Sequence, residues 1–407
     1  MDKVEELCIS LGYKKEEYMK IIKVLRDRRR TYDGIFNSIK TIFNYLLVLG
    51  FTRNKVIKLS NTMPNIFALS IQNIDTKINY LSSLGYSKED VFKIIEKCPQ
   101  ILGYNKDSIE DRIEEINKVG YTRKDWLKMF KANPQICGIS REAMEEKISY
   151  YGILGFKREE IMKIFKQLPG IIGQSNENIS DKINNLKSFG LRDADIVKMV
   201  KLQPALLTIG TDLIEEKFNY FLTMGYSKES VVKMIKKMPS LLTYSLDATL
   251  MKMNELIGIG FTKEEVISMT VTSPAIYSYN IDTIKSKIEF IIELGYTKEE
   301  VIKMIKELPS LISADMVQLK EKIEFYDSIG LHTLFVSVPK DLMQSTEVSY
   351  ARYKYYLENG ISITMDSFRR LFCSNKYFEK TYGLTKEDLI KKYNYKEYKD
   401  GHYGILD

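Results

Sequence analysis

An all-α solenoid is the fold class that this 407-residue sequence predicts, and three observations predict it. Every proline of the chain sits on one ruler: Pro64, Pro99, Pro134, Pro169, Pro204, Pro239, Pro274 and Pro309 are 35 residues apart, and Pro339 follows after 30. Glycine keeps the same beat at Gly50, Gly85, Gly120, Gly155, Gly190, Gly225, Gly260, Gly295 and Gly330, each of the first eight 14 residues before its proline, with Gly360 closing the series. No stretch alternates apolar and polar residues for long enough to make a strand. A fixed period of this length is the signature of stacked repeats, so the two or three domains suggested by length alone give way to one elongated array.

The elements follow in order when the repeat is numbered from the residue after its glycine. Position 1 is aromatic or Leu, position 2 is often Ser or Thr, and position 5 is often acidic, as in Ser87-Lys-Glu-Asp90 and Thr297-Lys-Glu-Glu300. That spacing is a capping box, in which the hydroxyl accepts a free backbone N–H and the acid reaches back to the cap. Positions 6, 9, 10 and 13 carry the apolar face of a short helix. The proline at position 14 ends it by disfavouring the α conformation in the residue before it. Two apolar residues follow, as in Ile101-Leu102 and Leu206-Leu207, and predict a single 3₁₀ turn pressed into the core. A second cap comes at position 20 (Ser70, Asn105, Ser140, Ser175, Ser245, Asn280, Asp315). Apolar residues at 24, 28, 31 and 34 then give a second helix, which the glycine closes.

The ends of the array are atypical, as terminal caps should be. Residues 1–50 read as a degenerate capping unit in which Leu11-Gly12-Tyr13 repeats the helix start and Arg26 stands where the proline would be. Residues 51–330 hold eight full repeats. Residues 331–383 hold a shortened unit and a last unit without proline, and 384–407 form a tail rich in Lys and Tyr, expected to be partly disordered.

Composition narrows the function classes. No run of about 18 apolar residues offers a membrane span. Cys8, Cys98, Cys137 and Cys373 lie far apart, which suggests neither a disulfide framework nor zinc; Cys98 and Cys137 fall at inward positions and read as core. Only His332 and His402 are available for imidazole chemistry, and His332 stands where a helix-capping Ser or Thr would be. There is no phosphate-binding glycine loop, nucleophile elbow or His-Glu-x-x-His motif, so the sequence predicts no enzyme, no cofactor and no metal.

The unit Leu84–Gly120, LGYSKEDVFKIIEKCPQILGYNKDSIEDRIEEINKVG, resembles the repeat of the mitochondrial transcription termination factor family, mTERF: a Leu-Gly-aromatic helix start, a Pro-x-Leu-Leu-like turn and a helix ending before Gly. The stretches Val338–Gly360 and Met365–Gly383 resemble the closing repeats of that family, down to Phe378–Tyr382, and the resemblance covers nearly the whole chain. Pentatricopeptide repeats share the period, but their proline lies only a few residues after the glycine; tetratricopeptide repeats want a Trp-Leu-Gly-Tyr pattern, and this chain has one Trp. Departures from the family pattern are a very regular period, little Arg against Lys, and a start, Met1-Asp-Lys-Val-Glu-Glu-Leu, unlike an Arg- and Ser-rich leader. The expectation is therefore a bacterial-type cytoplasm, or a mitochondrial or plastid matrix if the chain is a mature form. The resemblance implies a right-handed superhelix that binds nucleic acid along a basic groove.

The residues supply their own candidates for that groove. Position 27 is cationic in all eight repeats: Lys77, Arg112, Lys147, Lys182, Lys217, Lys252, Lys287 and Lys322. It lies about 60° to one side of the apolar stripe of its helix, where a lysine stem can rest on apolar surface and extend its ammonium outward. Stacked repeats would align these charges into a ladder able to track phosphates; a solvated flank is the other reading. Arg26, Arg28, Arg29 and Arg30 form a dense cluster that could grip a backbone, or be a solvated cap. Position 8 is a second cationic stripe (Lys58, Lys93, Lys128, Lys163, Lys198, Lys233, Lys303, broken by Ser268) and reads as a solubilising face. Positions 19 and 21 vary from repeat to repeat and are mostly apolar, which fits tolerant loops better than base readers.

The net charge is only +7, from 61 Lys and Arg against 54 Asp and Glu, but a whole-chain value understates any segregation of charge between faces. The expectation is a monomeric protein that binds double-stranded DNA or RNA through phosphates and regulates transcription or RNA metabolism, with no small-molecule substrate and no membrane. A scaffold solenoid holding a peptide or an acidic partner is the alternative.

Overall fold

The computed structural model describes residues 2–396, all helical or in turns, with no strand among them. They form two compact units, up to Thr211 and from Asp212 on. In the first unit, helices Asp2–Ser10, Lys15–Asp27 and Tyr32–Leu49 precede the repeats. Each repeat then has the same three parts, as in helix Arg123–Ala132, 3₁₀ turn Pro134–Gly138 and helix Arg141–Ile153. The second unit holds helix Thr211–Thr223 and then the same order, as in Lys228–Lys237, Pro239–Thr243 and Leu246–Ile259.

The local chemistry is that of the predicted caps. Thr122 Oγ1 accepts from the Asp125 backbone N–H, and the Asp125 carboxylate accepts from the Thr122 N–H, each at 3.1 Å. Cys98, Leu168 and Met238, each before a proline, leave the helical region, with φ between −143° and −137° and ψ between 72° and 79°. The helix therefore cannot pass, and the proline opens the 3₁₀ turn. Gly85 and Gly120 sit at φ +95° and +115°, where a side chain would strain the backbone.

Packing joins each repeat to the next. Buried Tyr86 and Tyr121 at position 1 donate their hydroxyls to the carbonyls of Leu127 and Met162 on the following first helix, at 2.7 and 3.3 Å. An ion pair recurs beside them. The capping acid at position 5 meets a lysine at position 11 of the next repeat: Asp90–Lys131, Asp125–Lys166, Glu160–Lys201 and Glu265–Lys306. The pair is reversed at Lys55–Glu96. Where the two positions are instead Ser230 and Val271, the Tyr226 hydroxyl lies in a buried cluster, 2.6 Å from Thr270 and 2.7 Å from Tyr277. Cys98 and Cys137 are buried, and burial pushes both thiols up in pKa.

The last unit, which has no proline, still forms a 3₁₀ turn, Phe368–Phe372. The ends depart from the sequence reading in two places. His332 caps no helix; the short helix Leu334–Ser337 begins after Thr333, and the imidazole stacks on Tyr296 with ring centroids 4.2 Å apart while Nδ1 meets Asp327. The start of the expected tail is folded: helix Lys386–Lys392 buries Leu389, and Tyr393 hydrogen-bonds Glu358. The rest of the tail, residues 397–407 with His402, lies outside the described residues.

Candidate nucleic-acid interface

Position 27 lies on the second helix of each repeat, eight residues before its closing glycine. Its lysines are buried in every repeat that has one, and Arg112 is half-buried. Their ammoniums do not extend outward. Lys147 Nζ donates to the Gln174 carbonyl and to Asn176 Oδ1, both at 2.6 Å, across to the 3₁₀ turn Pro169–Gly173 of the next repeat. Lys182 donates to the Leu207 carbonyl at 2.9 Å, and to Asn178. Lys217 reaches the Tyr244 carbonyl and Lys287 that of Ala314; Lys322 reaches those of Leu342 and Gln344. These carbonyls end the 3₁₀ turns, where no later N–H answers them, and a cation there also meets the negative end of the turn. The remaining three cations stay on their own helix. Arg112 and Lys252 pair with Glu115 and Glu255, three residues on, and Lys77 lies 5.5 Å from the Tyr80 ring centroid.

Burial lowers the pKa of Lys77, Lys147, Lys182, Lys217 and Lys287, and pushes Lys322 down to about 8. Lys322 also lines a cleft of about 600 Å³ with Asp315, Gln318, Met343 and Gln344, where the array shortens. Five of the eight cations thus tie a second helix to the turn ahead of it, rather than standing out as a row of exposed charges.

Two further rungs extend the ladder, and of these only Arg352 escaped the sequence reading. Counting eight residues back from Gly360 gives Arg352, whose guanidinium donates to the carbonyls of Leu371 at 2.8 Å and Cys373 at 2.6 Å and to Asn375 Oδ1 at 2.7 Å. The same count from Gly50 gives Ile42, and there Arg30 supplies the cation from outside the helix, reaching the Ala68 carbonyl at 3.2 Å and Ser38. The arginine cluster is therefore divided. Arg26 lies over the Tyr32 ring at 4.8 Å and reaches the Arg30 carbonyl, whereas Arg28 and Arg29 are exposed. The variable positions 19 and 21 lie beside the ladder, and Gln174 and Asn176 serve as its acceptors.

The exposed cations are elsewhere. Lys58, Lys93, Lys128, Lys163 and Lys198 in the first unit, and Lys233 and Lys303 in the second, are all exposed on the first helices of their repeats; Lys93 pairs with Glu89. The second helices expose acids, at position 22 (Asp107, Glu142, Glu177, Asp212, Asp247, Asp282) and at position 26 (Asp111, Glu146, Asp181, Glu216). Position 22 falls in the first turn, where the helix dipole favours an acid. In the first unit, then, first helices expose more cations than acids and second helices the reverse, whereas in the second unit exposed Glu229, Glu264 and Glu299 stand one turn before Lys233, Ser268 and Lys303.

Among the described residues, no cluster of three His, Cys, Asp or Glu could hold a metal, and no helix is long and apolar enough to cross a membrane. The mTERF family model matches the chain over residues 2–151, 138–254, 231–293 and 283–379. No curated protein matches it.

Proposed function

The chain belongs to the mTERF family, and from that premise we propose that it binds DNA or RNA, largely through phosphates, and regulates transcription or RNA metabolism by occupying its target. The segregation of exposed charge carries this reading. The basic face of the first helices, with Lys58, Lys128, Lys163 and Lys198 in the first unit and Arg28 and Arg29 at its start, offers cations that no core contact consumes. Lysines repeated at one position of stacked repeats suit a ligand whose charge is itself periodic, and phosphate contacts of this kind position a strand without reading its bases. In this reading the position-27 cations hold the spacing of the repeats that present the face.

Titration with duplex DNA, single-stranded DNA and RNA at several salt concentrations tests the reading. Contact with about six to eight phosphates gives a slope of log K against log salt of roughly −4 to −7. Replacing Lys128, Lys163 and Lys198 together by Glu should abolish binding at moderate salt while leaving helicity intact. Absence of binding to all three ligands at low salt would overturn the function, and unchanged binding by the triple variant would overturn the face.

A further inference from the structure

Successive second helices meet along a seam, and its composition is read from a recurring contact. The aromatic at position 30 of one repeat reaches position 25 of the next: Tyr45 to Asp75, Tyr80 to Glu110 at 2.8 Å, and Tyr150 to Ser180 at 2.6 Å. These three seams are polar. In the second unit, between helices Thr211–Thr223 and Leu246–Ile259, the same positions are Tyr220 and Leu250. Helical period places Leu213 beside Tyr220 on one side of that seam, and Ile257 beside Leu250 on the other. All three leucine and isoleucine side chains are open to solvent, at 43%, 42% and 38% exposure, and Met251 beside them is 59% exposed. Met251 stands at position 26, which the repeats around it fill with Glu216 or other polar residues. An open apolar strip of this kind marks an interaction site more often than an isolated surface leucine does.

Its borders say what would cover it. Asp212 and Glu216 on the first helix and Asp247 on the second are exposed near the strip, while the neighbouring cations Lys217 and Lys252 are engaged, with the Tyr244 carbonyl and Glu255. An apolar strip framed by carboxylates complements a segment that carries apolar side chains between lysines or arginines. We infer that this seam is a docking site for an amphipathic, basic helix of a partner protein. It lies on second helices, apart from the first helices to which nucleic acid was assigned, and it stands whether or not that assignment holds. The occupant lays its apolar side chains along the seam and its cations over the flanking acids.

The probe is a labelled peptide of Leu and Lys in helical period, titrated by fluorescence anisotropy into the full chain. Comparison peptides carry Ser in place of Leu, or Glu in place of Lys. The Leu/Lys peptide is expected to bind and both comparison peptides to fail. Leu250→Lys with Met251→Lys, both at exposed positions, is expected to weaken the Leu/Lys peptide at least about tenfold while nucleic-acid affinity and thermal midpoint stay put. Equal binding of the Ser peptide, or unchanged binding by the double variant, overturns the site. Self-association of the free chain that the double variant abolishes would give the seam to a second copy and overturn the partner named here.

Discussion

A buried lysine needs a reason, and five of the position-27 side chains, Lys147, Lys182, Lys217, Lys287 and Lys322, have one in the turn ahead. The carbonyls that end a 3₁₀ turn are left without intrahelical donors, and a buried acceptor without a partner costs about 1–3 kcal/mol. Lys147 answers two oxygens at once. Lys147→Met, which keeps the stem and removes the donor, should therefore lower stability by roughly 1–3 kcal/mol in denaturant unfolding, with the salt slope of nucleic-acid binding unchanged. Lys322 adds a dependence on pH. Its folded value of about 8 lies below the ordinary 10.5. Between those two values the unfolded chain binds the extra proton, so the contribution of this lysine to stability rises with pH across that window. The wild-type stability should gain on Lys322→Met between pH 8 and 10, by on the order of 2 kcal/mol. A difference between the two proteins that is flat with pH would rule this out.

At the scale of an element, each first helix is set by chemistry at both ends and then clipped to its neighbour. The acid at position 5 serves twice, as Asp125 does: it accepts the Thr122 N–H and it pairs with Lys166. Exposed pairs of this kind are worth less than about 1 kcal/mol each, so the clip fixes register between repeats more than it adds stability. The reversed pair Lys55–Glu96 shows that the position needs opposite charge and not a given sign. The second helix ends at a glycine, and Gly85→Ala measures the backbone alone, because a Cβ there meets nothing within 4 Å at φ +95°. The expected loss is about 1–2 kcal/mol. Gly120→Ala should lose more, since its Cβ would lie 3.0 Å from Met162 Cε, and thermal unfolding of the two variants gives the comparison.

For the molecule as a whole, the small net charge of +7 is the residue of two larger and opposed distributions. Exposed acids recur at positions 22 and 26 of the second helices and exposed lysines at position 8 of the first, so that on the proposed reading phosphates and a basic partner would meet different helices. Raising salt should weaken nucleic-acid binding steeply, along the slope given above, and shift the unfolding midpoint little, because the surface pairs are screened while the ladder is buried. A midpoint that fell in parallel with affinity would mean that the two depend on the same charges.

The sequence by itself determined the period, the caps, the 3₁₀ turns and the family, because each rests on backbone rules that act within a few residues: a proline that stops a helix, a glycine that accepts positive φ, a hydroxyl and an acid spaced for a capping box. It also located the cationic ladder by counting, and the same count would have yielded Arg352. Where those cations point was not legible in it. An ammonium beside an apolar stripe can turn outward to water or across to a neighbour, and the choice depends on a carbonyl 25 to 27 residues away for Lys147, Lys182, Lys217 and Lys287. Only the stacking of repeats brings that carbonyl within hydrogen-bond reach. Tertiary structure thus decided that Lys147, Lys182, Lys217, Lys287 and Lys322 reach across to the neighbouring turn, while the lysines at position 8 stay exposed on the first helices.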